Sequence, residues 1–434
     1  MDSFLIMILL GGGGSVFLAL TLVQIYNYYK PIPLDLGKVL GYTSYFSYNI
    51  GDDVHVYSHH ENYVSVTLFR LGKSKEKIKY LGIISPFVQS NAYDIKEGLV
   101  WTQTFSFNSK NIKSGYYILE LIDQKTADIF QIPLIIKPNT KRKVAVVGST
   151  NTWMAYNEFG GRSNYRDYVT PKIVKAYLDL TRADKPLPYA RPMVSNQDII
   201  EGEPGTVFGS HLLRSEWEMA AFLDEKKIDY GVFSDKDMED DPILLDSDVI
   251  IFNTHSEYWS NKMIHRYKQY LNAGGKVIFA SGNNVFRKVR LDGKAMSVIS
   301  QNIKETHIAD LVGTKLVGDG NAAPYKVMDK THWIFDGLSV KNGQEFGIKN
   351  LNQVDGMSGQ GASGWEVDSL SKYSDGFKCL AKGLNPKNGA DMVIKENLPG
   401  WVFNSSSITF VGSLNVDEVI SKIMINLISQ AISQ

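Results

Sequence analysis

Residues 248–259 read DVIIFNTHSEYW, and this stretch decides the fold of the longer part of the chain. Its first half, 248–253, is a short apolar run of the kind that forms a strand buried on both faces of a parallel sheet. A helical pattern follows over 261–273 and ends at Gly274 and Gly275, which is a common helix stop. The next apolar run, 276–281, completes a strand–helix–strand unit. Such units predict a parallel sheet with helical crossovers.

The same alternation continues on both sides of this unit. Residues 141–434 are therefore assigned to one α/β domain with strands and helices in turn. Its further predicted elements are strands at 143–148, 230–234, 391–394 and 407–412, and helices at 216–227 and 416–432.

Residues 31–140 have a different hydrophobic period. Apolar and polar residues alternate in short runs, with turn-forming residues between them, and several such strands predict an antiparallel sandwich of about 100 residues. Residues 137–143 contain Pro138 and four basic residues and are predicted to be a linker. The predicted strand runs are 54–57, 63–69, 116–121 and 130–136.

The N-terminal stretch 4–26 contains no charged residue. A span of roughly 20 apolar residues crosses a bilayer, so residues 1–30 are predicted to be a transmembrane anchor with its flank. A cleaved signal peptide is the alternative, but it requires a basic start and the only early charge is Asp2. Lys30 and Lys38 follow the segment and weakly favour a cytoplasmic globular part.

Composition excludes several classes of protein. The 46 basic residues balance 46 acidic ones, whereas a general nucleic-acid binder has a basic excess. The single cysteine, Cys379, excludes an intramolecular disulfide and multi-cysteine metal sites. The sequence has neither a Gly-x-Ser-x-Gly elbow nor a glycine-rich nucleotide motif, so neither a typical serine hydrolase nor a nucleotide cofactor is supported.

Polar side chains follow the predicted parallel strands. His255 and Glu257 follow 248–253, and Tyr156 lies in a glycine-containing loop after 143–148. Ligands bind beyond the carboxyl ends of parallel strands, so we expect these groups to meet at one edge. Phenolate and carboxylate oxygens suit a hard ion such as ferric iron, which could activate water for amide hydrolysis. The alternative is that His255 and Glu257 only cap the helix that starts near Asn261.

A series of motifs resembles the large (β) subunit family of N,N-dimethylformamidase. TWMAYNEFGGRSNY at 152–165 is similar to the family's signature loop, and HSEYWS at 255–260 is similar to its His-x-Glu-Tyr-Trp motif. Segments 41–54 and 68–72 resemble its N-terminal β-domain. The remaining matches follow in order: GNNVF at 282–286, HWIFDGL at 332–338, GWEVD at 364–368, ADMV at 390–393 and SITFVGSLN at 407–415.

The resemblance implies a fold of two parts, an Ig-like β-sandwich followed by a class I glutamine-amidotransferase-like (flavodoxin-like) α/β domain. It also implies a mononuclear ferric iron held by two tyrosines and one glutamate. Glu257 matches the glutamate and Tyr156 one tyrosine. Tyr165 is the best match to the second tyrosine, and Tyr168 is close enough to compete with it.

Two further residues match positions expected to act in catalysis. The resemblance implies that His255 is an acid/base or orienting group beside the iron. It makes Glu366 a candidate general base for a bound water.

The sequence therefore predicts a membrane-anchored, iron-dependent hydrolase of amide C–N bonds, acting on a small-molecule or surface amide. An anchor on such an enzyme favours a single-pass protein with its globular part outside the cytoplasm, against the weak charge signal of Lys30 and Lys38. The family's characterised enzyme has a small subunit, so a small partner subunit or a homo-oligomer stays open, and no nucleic-acid partner is expected. The alternative function is a non-catalytic cell-surface module that binds a glycan or a protein on the same scaffold.

Overall fold

The computed structural model describes residues 22–24, 32–168, 170–172, 174–176, 185–197, 211–318, 320–351, 359–386, 388–396 and 399–433. From residue 32 through residue 137, the regular elements are strands joined by turns and loops. They are β1 (Ile32–Pro33), β2 (Val39–Thr43), β3 (Ser47–Asn49), β4 (Asp53–His60), β5 (Val64–Leu71), β6 (Lys75–Ile84), β7 (Ala92–Asp94), β8 (Gly98–Leu99), β9 (Phe105–Asn108), β10 (Gly115–Asp123) and β11 (Ile129–Lys137).

Two of the sheets formed by these strands share one core. One sheet has the order β3-β11-β10-β5-β6 and the other the order β2-β4-β9, while β1, β7 and β8 form a small third sheet. Alternate residues of β5, such as Val64 and Val66, are buried together with Val54 and Val56 of β4. Since successive side chains of a strand point to opposite faces, this alternation closes a two-layer β-sandwich.

The rest of the described chain combines helices with a large sheet. Its helices are α1 (Thr150–Tyr156), α2 (Leu213–Glu225), α3 (Asp237–Asp240), α4 (Pro242–Leu245), α5 (Asn261–Asn272), α6 (Glu305–Val312) and α7 (Glu418–Ile432). Its strands are β12 (Val144–Gly148), β13 (Pro186–Pro188), β14 (Tyr230–Ser234), β15 (Val249–Thr254), β16 (Tyr258–Ser260), β17 (Lys276–Ser281), β18 (Arg287–Leu291), β19 (Ala295–Ser300), β20 (Thr314–Leu316), β21 (Tyr325–Val327), β22 (Glu345–Phe346), β23 (Asp368–Leu370), β24 (Lys378–Gly383), β25 (Asp391–Lys395) and β26 (Trp401–Asn404).

The large sheet has nine strands in the order β14-β12-β15-β17-β26-β25-β24-β21-β22. The first five run parallel, and the remaining four are paired antiparallel. The strand–helix–strand pattern predicted β12, β14, β15 and β17 but not β26, and the strand predicted at 391–394 is the antiparallel β25. Side chains of β15 alternate between two cores, one lined by α2 and α7 and the other by α5 and α6. Helices therefore cover both faces of the parallel half and leave the ends of its strands for the site.

The predicted fold class, a transmembrane helix followed by an Ig-like β-sandwich and a flavodoxin-like α/β domain, is contradicted. The described residues are mostly β-sheet with few helices, because antiparallel strands and several short two- to six-residue strands occupy segments in which no strand was predicted. Residues 407–412, predicted to be a strand, lie mainly in the 3₁₀ helix Ile408–Ser413. The hydroxyl of Thr409 donates to the carbonyl of Gly361, and such local side-chain bonds compete with strand pairing. The division of the chain at residue 140 stays a prediction.

The predicted membrane anchor is also corrected. Among the described residues, no helix is both long enough and apolar enough to span a membrane. Only Leu22, Val23 and Gln24 of the predicted segment 4–26 are described, and the rest of it lies outside the described residues. The single-pass topology and the extracytoplasmic placement, which depended on that helix, are not supported.

Candidate active site

Three loops that follow neighbouring parallel strands are bonded to one another. The loop after β12 is tied to the loop after β15, because the hydroxyl of Ser149 donates to the carbonyl of Asn253 at 2.7 Å and that of Thr152 to the carbonyl of His255 at 2.7 Å. The amide of Gly282, after β17, donates to the carbonyl of Thr254 at 3.2 Å. The polar residues after these strands therefore meet at one edge, as the strand order requires.

His255 is fully buried at the centre of this edge. Its Nδ1 lies 3.1 Å from the carbonyl oxygen of Gly282, and because a carbonyl only accepts, Nδ1 carries a proton. Its Nε2 lies 3.3 Å from Oε2 of Glu257 and 3.7 Å from Oε2 of Glu366. Burial lowers the pKa of His255, but the two carboxylates outweigh burial and raise the pKa to about 9. Among the described residues, Nε2 forms a hydrogen bond with neither carboxylate, so it is available to donate to a bound ligand.

Three side chains surround the carboxylate of Glu257, those of Arg287, Tyr165 and His255. Oε1 accepts a short hydrogen bond from Nε of Arg287, and Oε2 accepts one of 2.8 Å from the hydroxyl of Tyr165. The side chain of Glu257 is 1% exposed. Burial acts to raise the pKa of Glu257, but His255 and Arg287 lower it below the ordinary value, so this carboxyl is ionised.

The tyrosines form a chain of hydroxyl groups. Tyr258 donates to the hydroxyl of Tyr165 at 2.8 Å, and the rings of Tyr156 and Tyr165 lie 4.2 Å apart. Burial raises the pKa of Tyr156 and of Tyr165 well above the ordinary range, and nearby carboxylates raise both further. Both phenols therefore keep their protons. Tyr168, the alternative to Tyr165, is 70% exposed, whereas Tyr165 bonds to Glu257 directly.

Glu366 faces His255 from a separate segment. Its Oε2 accepts from Nδ2 of Asn283 at 2.7 Å, and burial raises its pKa, which makes it a stronger base than an exposed glutamate. The backbone of Glu366 passes very close to Gly282, since a Cβ there would lie 2.5 Å from the carbonyl oxygen of Glu366. Glycine at 282 is thus needed to bring this segment to His255.

Three residues beside these groups have left-handed backbone conformations. Thr254 has φ +58°, Asn283 has φ +50° and Trp365 has φ +65°. Left-handed φ values are rare for a β-branched residue such as Thr254 or a bulky one such as Trp365, and each costs about 1–3 kcal/mol, whereas asparagine adopts them more readily. Such strain concentrates at functional sites, and here it lies directly before His255 and directly before Glu366.

The alternative role of His255 and Glu257 as helix caps is wrong. Ser260 is the N-cap of α5, because its hydroxyl accepts from the amide of Met263 at 3.1 Å. His255 and Glu257 bond to site residues instead.

Two residues of the site were missed by sequence reasoning. Arg287, on β18, pairs with Glu257, and no motif surrounding it signals that role. His211 lies just before α2, with its ring 4.2 Å from that of Tyr156 and 5.5 Å from that of His255. Burial, and then the neighbouring His255, lower the pKa of His211 well below the ordinary value, so its ring is neutral. An isolated histidine in sequence carries no signal of such a position.

The three residues implied as iron ligands, Tyr156, Tyr165 and Glu257, lie next to one another in the structure. The hydroxyl of Tyr165 donates to Glu257, and the ring of Tyr156 lies 4.2 Å from the ring of Tyr165. If a bound ion displaced the two phenol protons, two phenolates and one carboxylate would be hard oxygen donors, the type that suits ferric iron, so these residues fit the ion chemically.

The general prediction that the protein contains a metal-binding group is contradicted. Across the residues that the structure describes, no group of three or more His, Cys, Asp or Glu side chains could hold a metal ion. That finding concerns His, Cys, Asp and Glu ligands. The implied iron ligands are one carboxylate and two tyrosines, so the finding does not test them, and iron stays a prediction.

Two solved structures are remotely similar to the chain. Exo-beta-1,4-mannosidase Op5Man5 from Opitutaceae bacterium strain TAV5 is 11% identical with a TM-score of 0.28, and the match covers 62% of this chain and 40% of the mannosidase. The mmIFT52 N-terminal domain is 15% identical with a TM-score of 0.29, and that match covers 49% of this chain and 90% of the domain. TM-scores this low carry no argument about fold or function.

Comparison with protein families establishes the family of the chain. No curated protein sequence matches the chain. The family described as N,N-dimethylformamidase beta subunit-like, C-terminal, matches residues 65–423, which include every site residue named above. The chain therefore belongs to the N,N-dimethylformamidase beta subunit-like family, which supports a hydrolase-like function in general.

Proposed function

We propose that the protein hydrolyses the C–N bond of an amide at the edge formed by His255, Glu257 and Glu366. The observation that carries this proposal is the position of His255 Nε2, which lies 3.3 Å from one carboxylate and 3.7 Å from another. The two carboxyl groups differ in environment, since the pKa of Glu257 is lowered and that of Glu366 is raised. Paired acids whose pKa values are pushed apart are typical of acid/base catalysis.

The residues divide the reaction between them. Glu366, oriented by Asn283, accepts a proton from water, and the resulting hydroxide adds to the carbonyl carbon of the amide. His255 Nε2 donates a proton to the nitrogen as the C–N bond breaks, so that an amine and a carboxylic acid result. The proton that Glu366 took from water is then transferred to Nε2 across the 3.7 Å contact, which restores both groups.

The tyrosines and Glu257 have a separate part in this proposal. We propose mononuclear ferric iron as the cofactor, with Tyr156, Tyr165 and Glu257 as the residues that would hold it. Such an ion, when bound, polarises a carbonyl and acidifies water. Arg287 fixes the orientation of Glu257, because Glu257 bonds to it through Oε1 and leaves Oε2 facing Tyr165.

Amine release from simple amides tests the function. The full chain is incubated with N,N-dimethylformamide, N-methylformamide, formamide and acetamide, and the released amine is measured. We expect turnover of at least one amide, and a loss of about 100-fold or more in Glu366→Gln, because a general base contributes 10²–10⁴-fold. Glutamine keeps an oxygen that can accept from Asn283, so this variant isolates the loss of the base.

Glu396→Gln is the matched control. Glu396 also lies beside a histidine, with Oε2 at 3.1 Å from Nε2 of His332. It follows β25, which runs antiparallel to β26, so it lies at the edge of the sheet opposite to the site. Full activity is expected in this variant. Equal activity in Glu366→Gln and the parent would refute the mechanism, and a folded parent that binds a glycan but turns over no amide would favour the non-catalytic alternative.

A further inference from the structure

His211 has no part in the mechanism above, yet its surroundings are unusual for a structural histidine. The residue is 8% exposed, and both Nδ1 and Nε2 are shielded from solvent without a hydrogen-bond partner among the described residues. A buried polar group without a partner costs about 1–3 kcal/mol, and most buried polar groups are paired. Two unpaired nitrogens in one ring therefore call for a ligand.

The ring of His211 faces the proposed site from a third side. Its centroid lies 4.2 Å from that of Tyr156, 5.5 Å from that of His255 and 4.3 Å from that of Trp365. Trp365 directly precedes Glu366 and has the left-handed backbone conformation described above. His211 thus lies among the end of α1 with Tyr156, the loop of His255 and the segment of Glu366.

Hydrogen bonds fix the start of α2, next to His211, to Asn196 and to the segment around α1. The amide of Leu213, at the start of α2, donates to Oδ1 of Asn196 at 3.3 Å. Glu216, one turn into α2, accepts from the amide of Ser149 at 3.0 Å and from Nε1 of Trp153 at 2.9 Å. Since Trp153 and Tyr156 share helix α1, the position of His211 relative to Tyr156 is held by buried bonds.

We propose that His211 is a substrate-binding residue, whose ring N–H donates a hydrogen bond to the carbonyl oxygen of a neutral amide bound against Tyr156 and Trp365. This inference rests on the proposed function and names the substrate class for it. A neutral imidazole has one donor and one acceptor, and an amide carbonyl matches the donor. The charged groups beside it are already matched, Glu257 by Arg287 and Glu366 by His255, so a neutral substrate suits the site better than an ion.

Binding of N,N-dimethylformamide to the full chain tests this role independently of turnover. Its affinity is measured by ligand-observed NMR titration in the parent, in His211→Phe and in His211→Leu, two variants that remove both nitrogens and still fill the space. Loss of one hydrogen bond predicts a Kd about tenfold higher or more. His211→Gln, which keeps an N–H donor, is expected to retain part of the affinity.

Thermal unfolding of the same variants separates a binding role from a structural one. Because Phe and Leu remove two unpaired polar atoms from the interior, we expect a midpoint equal to or above that of the parent. His265→Leu, at an exposed position of α5, is the control and should leave affinity unchanged.

The outcomes distinguish the two proposals. Parental affinity in His211→Phe or His211→Leu, or a folded parent that does not bind the probe, would overturn the role of His211. A lower midpoint with unchanged affinity would assign His211 to the structure alone, which also overturns it. A parent that binds the probe with His211-dependent affinity, but releases no amine from any amide, would instead refute the proposed function.

Discussion

The hydroxyl of Tyr165 donates a 2.8 Å hydrogen bond to Oε2 of Glu257 and accepts one of 2.8 Å from the hydroxyl of Tyr258. This relationship joins the loop after α1 to the loop after β15, 92 residues further along the chain. Without it, the carboxylate of Glu257 would retain Arg287 and His255 but lose its contact with the tyrosines. The bond therefore connects the two motifs on which the family resemblance depends.

Tyr165→Phe removes this shared hydroxyl and keeps the ring. Glu257 loses one hydrogen bond and the hydroxyl of Tyr258 loses its acceptor, so we expect the free energy of unfolding to fall by about 1–3 kcal/mol. Chemical denaturation of the parent and the variant measures this difference. Tyr168→Phe is the control, because Tyr168 is 70% exposed and should change stability by less than about 0.5 kcal/mol. Equal effects of the two substitutions would contradict the bonding described here.

Four of the five parallel strands, β12, β14, β15 and β17, could be predicted from the sequence because each is a short apolar run of strand length, whereas β26 was missed. The edge at which His255, Glu257 and Tyr156 meet followed from that topology. The antiparallel strands β21, β22 and β24 could not be predicted, since their pairing depends on contacts between distant segments. No motif marks them as the continuation of the same sheet.

The site was predictable only where residues lie within motifs. His255 and Glu257 are two positions apart and follow one strand, so their proximity is local. Arg287 reaches Glu257 through the β16–β18 pairing, and His211 reaches Tyr156 through the position of α2. Both contacts arise from packing between elements, which hydrophobic periodicity does not specify.

Arg287→Met removes the cation bonded to Oε1 of Glu257 and leaves this buried carboxylate with His255 as its one remaining charged partner among the described residues. The side chain of Arg287 is 18% exposed and that of Glu257 is 1% exposed, so solvent cannot replace the pair. Removal of one partner of a buried pair costs about 3–5 kcal/mol. We expect a loss near the lower end of that range, measured by chemical denaturation.

Two further variants test whether the unpaired charge is the cause. Glu257→Gln combined with Arg287→Met should recover part of the lost stability, because no charge is then left without its partner. Arg142→Met breaks the Arg142–Asp229 pair, whose side chains are 33% and 73% exposed, and should cost less than about 1 kcal/mol. A double variant no more stable than Arg287→Met would show that lost packing, and not charge, is responsible.

Iron content tests the proposed cofactor. Expression with iron supplied should give about one iron ion per chain and a visible absorption band from phenolate-to-ferric charge transfer, since phenolates are hard donors to that ion. Tyr156→Phe should weaken the band, because Tyr165 is then the one phenolate left in the proposed ligand set, whereas Tyr45→Phe, at a residue that is 64% exposed, should not change it. Elemental analysis and the visible spectrum measure both effects. A folded, amide-hydrolysing protein without iron would remove the cofactor from the proposal and leave the acid/base groups in place.

Glu216 makes the stability of the folded chain depend on pH. Burial raises its pKa from 4.5 to about 7, although the amide of Ser149 and Nε1 of Trp153 act to lower it. An acid with a raised folded-state pKa binds its proton more tightly when folded. Its contribution is therefore fully present below pH 4.5 and is lost as the pH rises through about 7. At about 1.4 kcal/mol per pKa unit, the change amounts to roughly 3 kcal/mol.

Glu216→Gln should remove this dependence. Glutamine keeps an oxygen that can accept from Ser149 and Trp153, and it does not ionise. We expect the free energy of unfolding to fall by roughly 3 kcal/mol more in the parent than in the variant between pH 4.5 and pH 8. Chemical denaturation at both pH values measures the difference, with Glu225→Gln, on an exposed part of α2, as the control that should follow the parent. Parallel pH profiles for the parent and Glu216→Gln would show that the buried carboxyl does not titrate in this range.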